Sequence, residues 1–227
     1  NMPDMQKLYK ITKEKKIFLI EDCAEAIGSY YKNKHAGTLG LCGAISFHPL
    51  KNLNGLGDGG MLLTQDKSIA EKVNKYRNHG LISRDNVEEF GINSRLDVIH
   101  SEVLKYRLTK LNWVIERRLE NINYYKKNVD PNIITICDEN ENEISSHVIF
   151  LVRTKKRDKL KEFLFNAGIE TLVYYGKPLH LQPASINLGY KKGDFKLAET
   201  LANEVLAIPH HQYLKRKEIK YVCDTIN

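Results

Sequence analysis

The sequence predicts an α/β protein: a mostly parallel sheet with helical crossovers, followed by a smaller α+β unit. Three observations carry that expectation. Strand-length apolar runs alternate with amphipathic helical stretches through the first half of the chain. A long helical pattern then runs from Asp97 to about Lys127. Beyond it the order changes to strand, helix, strand and two more helices, with no internal repeat. The chain accordingly divides into a large-domain portion, residues 1–112, and a small C-terminal domain, residues 113–227.

The elements follow in order. Asp4 is placed to cap a helix over residues 4–15, with Met5, Leu8 and Ile11 at helical spacing. Residues 17–20 read as a buried strand that ends on the acidic pair Glu21-Asp22. Strands follow at 44–47 and 61–64, and a helix at 67–77. Ligands of such sheets sit beyond the carboxyl ends of the strands, which puts Asp22 and the loop after Phe47 where chemistry is done. Val98, Val103, Leu104, Leu108, Leu111 and Ile115 give one long helix its apolar face. Pro131 and the acidic stretch 138–143 read as loop. A strand at 148–152 and a helix at 156–166, stopped by Gly168, come next. A strand at 169–174, a helix at 194–206 capped by Asp194 and a last helix at 217–226 complete the chain.

Composition excludes several classes. The 227 residues are 42% hydrophobic and 28% charged, enough for one large or two smaller cores. The longest apolar runs, such as Ile17-Phe18-Leu19-Ile20, fall far below the ~20 residues of a membrane span. The polar N-terminal stretch has no signal-peptide character. The net charge of +7 is spread along the chain, without a basic stripe interleaved with aromatics. It reads as a lysine-rich surface, and no nucleic acid partner is expected. Cys23, Cys42, Cys137 and Cys223 form no CxxC pair, as expected of reduced, mostly buried thiols in a cytoplasmic protein. His48, His180, His210 and His211 lack metal-ligand spacing, and no metal site is expected.

Four segments remain: Ile20-Glu21-Asp22-Cys23-Ala24-Glu25, Ser46-Phe47-His48-Pro49-Leu50-Lys51-Asn52, the turn Gly57-Asp58-Gly59-Gly60, and Arg77-Asn78-His79-Gly80 with Asn93-Ser94-Arg95-Leu96-Asp97. Each is ordinary alone: a strand-end carboxylate, a loop lysine, a glycine turn without nucleotide-motif spacing, a helix end. In this order, with Gly37-Thr38-Leu39-Gly40 and Pro178-Leu179-His180-Leu181-Gln182-Pro183-Ala184, they resemble the DegT/DnrJ/EryC1/StrS family across essentially all of the chain. These are sugar aminotransferases that depend on pyridoxal 5′-phosphate, on the fold type I (aspartate aminotransferase-like) architecture.

The resemblance implies the roles. Lys51 matches the lysine that joins the cofactor aldehyde and shuttles the substrate proton. Asp22 matches the carboxylate that keeps the ring nitrogen protonated, opposite charges at short range favouring the ionised pair. Ser46 matches a hydroxyl donor to the phosphate, and Asn93 an asparagine that reaches the phosphate from a partner subunit. Glu25 stands where many relatives carry Gln or His near the ring. The implied reaction moves an amino group from L-glutamate to a nucleotide-linked keto-sugar, for surface polysaccharide or amino-sugar biosynthesis, in a cytoplasmic homodimer. The Gly57-Asp58-Gly59-Gly60 turn, in place of a GEGG version, leans toward amination at C3.

Two departures touch the substrate region: Ile92 where the family often has Tyr before Asn-Ser-Arg, and Tyr174-Tyr175-Gly176 where it often has His-Tyr-Pro. By resemblance the family carries a further N-terminal segment that binds the phosphate, so the isolated chain is expected to hold cofactor weakly. The rival expectations are a cyclitol aminotransferase of the same family and a non-catalytic binding or regulatory protein.

Overall fold

The computed structural model describes residues 2–137 and 139–227; Asn1 and, within the expected acidic loop, Asp138 lie outside the described residues. The chain divides into two units, the first formed by Asn1–Ile115 and Glu139–Val148, the second by Glu116–Asp138 and Ile149–Asn227. Elements are numbered in chain order.

In the first unit, α1 (Met5–Lys15) is capped by Asp4, whose carboxylate accepts the Lys7 N–H. It ends at Lys16, in the left-handed conformation with φ 53°. The next residue, Ile17, spends its N–H on Thr12 O of that helix. The expected strand at 17–20 therefore starts late, as β1 (Ile20–Asp22), and Ile17 and Phe18 are exposed. A hairpin, β2 (Tyr30–Tyr31) with β3 (Lys34–His35), precedes β4 (Cys42–Ser46), which pairs in parallel with β1.

The sheet continues to β5 (Gly60–Thr64) in the order β1-β4-β5, but β5 runs antiparallel to β4. The expected helical crossovers are absent here: a hairpin links β1 to β4, and the loop 47–59 turns the chain straight back, which dictates the antiparallel pairing. The helix α2 (Lys67–Tyr76) is capped by Asp66, and a short ribbon of β6 (Leu81–Ser83) and β7 (Asn86–Val87) follows.

The long helix expected over 97–127 is two helices, α3 (Val98–Leu108) and α4 (Leu111–Asn128). At the break the N–H groups of Thr109 and Lys110 bond three residues back, to Tyr106 O and Arg107 O, and the Thr109 hydroxyl also takes Tyr106 O. No glycine or proline marks that break, and the apolar spacing continues across it. The strand β9 (Glu143–Ile144) adds to the β2–β3 hairpin, so the return segment belongs to the first unit. Its core gathers Met5, Cys23, Ile27, Ile45, Phe47, Leu53 and Leu104.

In the second unit, β8 (Thr135–Ile136), β10 (Leu151–Arg153) and β11 (Val205–Ala207) form an antiparallel sheet in the order β11-β10-β8. The helices α5 (Arg157–Asn166) and α7 (Arg216–Ile226) stand close to their expected bounds, and Gly168 ends α5 with φ +74°. The expected strand at 169–174 is reduced to one bridge, Leu172 with Ala207. The expected helix at 194–206 is shorter, α6 (Lys196–Glu204), because Leu206 enters the sheet opposite Val152. Asp194 does not cap it; its carboxylate accepts the Lys191 N–H in the preceding turn. Among the described residues, no helix is long and apolar enough to cross a membrane.

Candidate active site

The parallel pairing of β1 and β4 sets Asp22 beside Ala44, and Ser46 ends its strand at the same edge. Side chains alternate across a sheet, so Asp22, Ala44 and Ser46 share one face while Glu21, Gly43 and Ile45 take the other. The acidic pair is thereby split between two tasks. Glu21 is buried, and its carboxylate accepts the N–H groups of Gly37 (2.8 Å), Leu39 (2.7 Å) and Gly40 (2.6 Å). It anchors the Gly37-Thr38-Leu39-Gly40 loop, which presses so closely on the sheet that a Cβ at Gly43 would lie 2.3 Å from Gly37 Cα. Asp22 is exposed on the opposite face, with one carboxylate oxygen accepting the Ala24 N–H.

After Ser46 the chain enters a braced loop. The Ser46 Oγ accepts the His48 N–H, leaving its own hydroxyl proton to donate. Gly55 N–H closes the loop onto Phe47 O, and Arg107 of α3 donates to the carbonyls of Asn54 and Gly55. Lys51 projects from this loop with its side chain 17% exposed, and its Nζ lies 2.7 Å from Glu25 Oε1. Glu25, in the loop after β1, is 46% exposed. Four of the five candidate residues, Asp22, Glu25, Ser46 and Lys51, are thus gathered at one strand edge. Asn93 is not: its backbone bridges to Asn78 and its side-chain Oδ1 accepts from Arg95 Nε.

Cys23, next to this edge, is no nucleophile near neutrality. Burial, reinforced by the charges of Glu21 and Asp22, pushes its thiol up to about 11. Among the described residues no three His, Cys, Asp or Glu side chains gather to hold a metal ion. In the second unit, His180 Nε2 lies 3.1 Å from Glu199 Oε1. The Gly193 N–H bond, then the His180 partner, holds the Glu199 carboxyl below the usual range. Sequence reading missed Ser146, which binds the loops of Glu25 and Lys51 from far along the chain; nothing in its spacing announced a return to the first unit.

An amine, a carboxylate and a hydroxyl at one strand edge are the donor set that a pyridoxal phosphate aldehyde, ring nitrogen and phosphate require. The profile of the DegT/DnrJ/EryC1/StrS aminotransferase family matches residues 1–227. The chain belongs to this family. It is 38% identical, over 99% of its length, to a protein of Geobacillus stearothermophilus named "Pleiotropic regulatory protein", of which it covers 61%. It is 33% identical, over 98% of its length, to dTDP-3-amino-3,4,6-trideoxy-alpha-D-glucose transaminase of Streptomyces venezuelae, covering 59%. The solved structure of S. venezuelae DesV in complex with a ketimine intermediate superposes with a TM-score of 0.95 at 32% identity, over 100% of this chain and 61% of that one. The chain therefore spans about 60% of the length of the relatives it matches. Membership of the DegT/DnrJ/EryC1/StrS family places both units on the fold of a sugar aminotransferase.

Proposed function

We propose that the protein is a pyridoxal-phosphate-dependent aminotransferase that moves an amino group from L-glutamate to a nucleotide-linked keto-sugar. The observation that carries this reading is the gathering of Lys51, Asp22 and Ser46 at the carboxyl edge of β1 and β4. The printed functions of relatives, which aminate dTDP-, UDP- and GDP-linked sugars, support the substrate class. Those named for 3-amino sugars support amination at C3. Residues up to about 112, with the return segment 139–148, contribute to the cofactor domain, and the remainder forms the small domain. Four free thiols support a cytoplasmic setting.

Bound pyridoxal phosphate supplies an electron sink once its ring nitrogen is protonated. Asp22 would set its carboxylate beside that nitrogen and favour the cationic form. Lys51 would join the aldehyde through Nζ and, once displaced by the donor amine, would be the base that takes and returns the donor's α-proton. Ser46 would donate its hydroxyl proton to the phosphate. Asn93, exposed and outside the Lys51 edge of its own chain, would reach the phosphate of a second copy, so that the site would be completed in a homodimer. Glu25 would pair with the Lys51 amine whenever that lysine is not joined to the cofactor.

The test is the absorption spectrum of the full-length protein with pyridoxal phosphate. A visible band in wild type, absent in Lys51→Ala and bleached by L-glutamate, is the expected outcome. A second reading has one observation in its favour, the regulatory name of the relative that is 38% identical. A folded full-length protein that shows no band with the cofactor puts that regulatory reading first.

A further inference from the structure

Two loops carry the reactive pair, and they are joined by a residue from elsewhere. Ser146 lies in the return segment after β9 and is 1% exposed. Its backbone N–H donates to Ser29 Oγ at 3.0 Å. The Ser29 hydroxyl donates to Ser146 Oγ at 3.0 Å, and Ser146 Oγ donates to the carbonyl of Glu25 at 3.2 Å. The Ser146 carbonyl accepts from Asn52 Nδ2 at 2.5 Å. Ser29 and Asn52 are buried as well.

These four bonds fix the backbone of Glu25 on one side and the residue after Lys51 on the other. Each hydroxyl gives its one proton and accepts another, so the chain from Ser29 through Ser146 to Glu25 has a single sense. Asn52 needs the clamp: among the described residues its buried Oδ1 finds no partner, and its side chain is held through Nδ2 by the bond to Ser146. Glu25 and Lys51 have no other common support among these bonds, and their 2.7 Å contact depends on both loops keeping their places.

We propose that Ser146 is a positioning residue that sets the reach of Lys51 by holding the Glu25 and Asn52 loops together. The inference rests on the reading of Lys51 as the cofactor lysine, and it assigns Ser146 no contact with substrate or cofactor. Removing the Ser146 hydroxyl leaves the Ser29 proton and the Glu25 carbonyl without partners and frees the Glu25 loop that faces Lys51, while the backbone bonds of Ser146 to Ser29 Oγ and Asn52 Nδ2 remain. Small displacements of a reacting group slow it steeply.

The experiment uses the full-length protein stripped of cofactor. Pyridoxal phosphate is added, the linkage is trapped with borohydride at timed intervals, and attachment at Lys51 is read by mass spectrometry. Thermal midpoints are recorded in parallel. Ser146→Ala is expected to slow attachment at Lys51 roughly tenfold, the scale of one buried hydrogen bond, while remaining folded. Ser145→Ala, next along the chain and outside the four bonds, is expected to match wild type, and Ser146→Thr to recover most of the rate. Should Ser146→Ala unfold, Asn52→Ala cuts the bond on the Lys51 side instead, and a folded Asn52→Ala is expected to attach the cofactor more slowly, an unslowed one overturning the role. An unslowed Ser146→Ala in a protein whose wild type attaches normally overturns the positioning role alone. A wild type that never attaches the cofactor at Lys51 overturns the functional reading and this proposal together.

Discussion

The two units hold their structures by different means. In the second, apolar packing closes on itself: Tyr125, Val152, Leu164 and Leu206 are each 0% exposed, and helices and sheet bury one another. In the first, the paired strands β1 and β4 bury Glu21 and Ile45 on one face, while on the Asp22–Ser46 face Ile20 is 67% exposed, and β5 is open on both, with Met61 44% and Leu62 39% exposed. The candidate residues stand on that open face. Under the proposed function this face receives the cofactor and is not closed by its own side chains, and polar bonds place the loops around it: Glu21 on three N–H groups, Arg107 on two carbonyls, Ser146 on two loops.

The largest effect that would break this contrast is in the cores. Leu206→Ala removes a fully buried side chain between β10 and α5, and is expected to cost about 2–5 kcal/mol of unfolding free energy. Leu62→Ala on the open face is expected to cost about 0.5 kcal/mol or less. Denaturant titration of the two variants checks the pair. Equal losses would mean that the first unit is packed as tightly as the second. Next in size is Glu21→Ala, which strands the loop's N–H donors; a loss of roughly 1–3 kcal/mol is expected by the same measurement.

How far the sequence could be read follows the same division. Helices α1, α2, α5 and α7 were legible because caps and apolar spacing are local signals. The α3–α4 break was not, since Thr109 and Lys110 end one helix and start the next without a breaker residue. The antiparallel β5 was missed because the direction of return is decided by how loop 47–59 folds. Asp22, Glu25, Ser46 and Lys51 were singled out through their motifs, and the structure sets Asp22 and Ser46 on one sheet face and Glu25 against Lys51. The clamp behind them was invisible: Ser29, Asn52 and Ser146 meet only when a distant segment returns to the first unit.

The thiols sharpen the comparison by reactivity. Burial pushes Cys23 in the first unit and Cys223 in the second up to about 11 each, while Cys137 is exposed. In native protein at neutral pH, iodoacetamide is expected to label Cys137 first and the buried pair only after denaturation. A thiol whose folded value is raised stabilises the fold fully below its ordinary value near 9.0 and loses that contribution as pH climbs toward 11. Both units should therefore weaken together on the alkaline side, and early labelling of Cys23 alone would show its unit opening independently.

On the acid side the smallest effect is expected, and it separates the units by residue. In the first, backbone N–H bonds from the helix starts hold Asp4 down, and the Ser68 hydroxyl with the Ile69 and Ser68 N–H groups holds Asp66 down. In the second, Glu199 is held down by the Gly193 N–H and then by His180. A carboxylate lowered in the fold contributes stability that is present above its ordinary value near 4 and is lost as pH falls through the lowered one. Asp66→Ser keeps an acceptor for the cap without the charge, so α2 should stay formed while its share of the acid dependence disappears. Glu199→Gln should flatten the acid limb of the second unit alone. Unfolding curves read between about pH 3 and 5 check both, and an Asp66→Ser curve as steep as wild type would mean that the cap charge contributes nothing to α2.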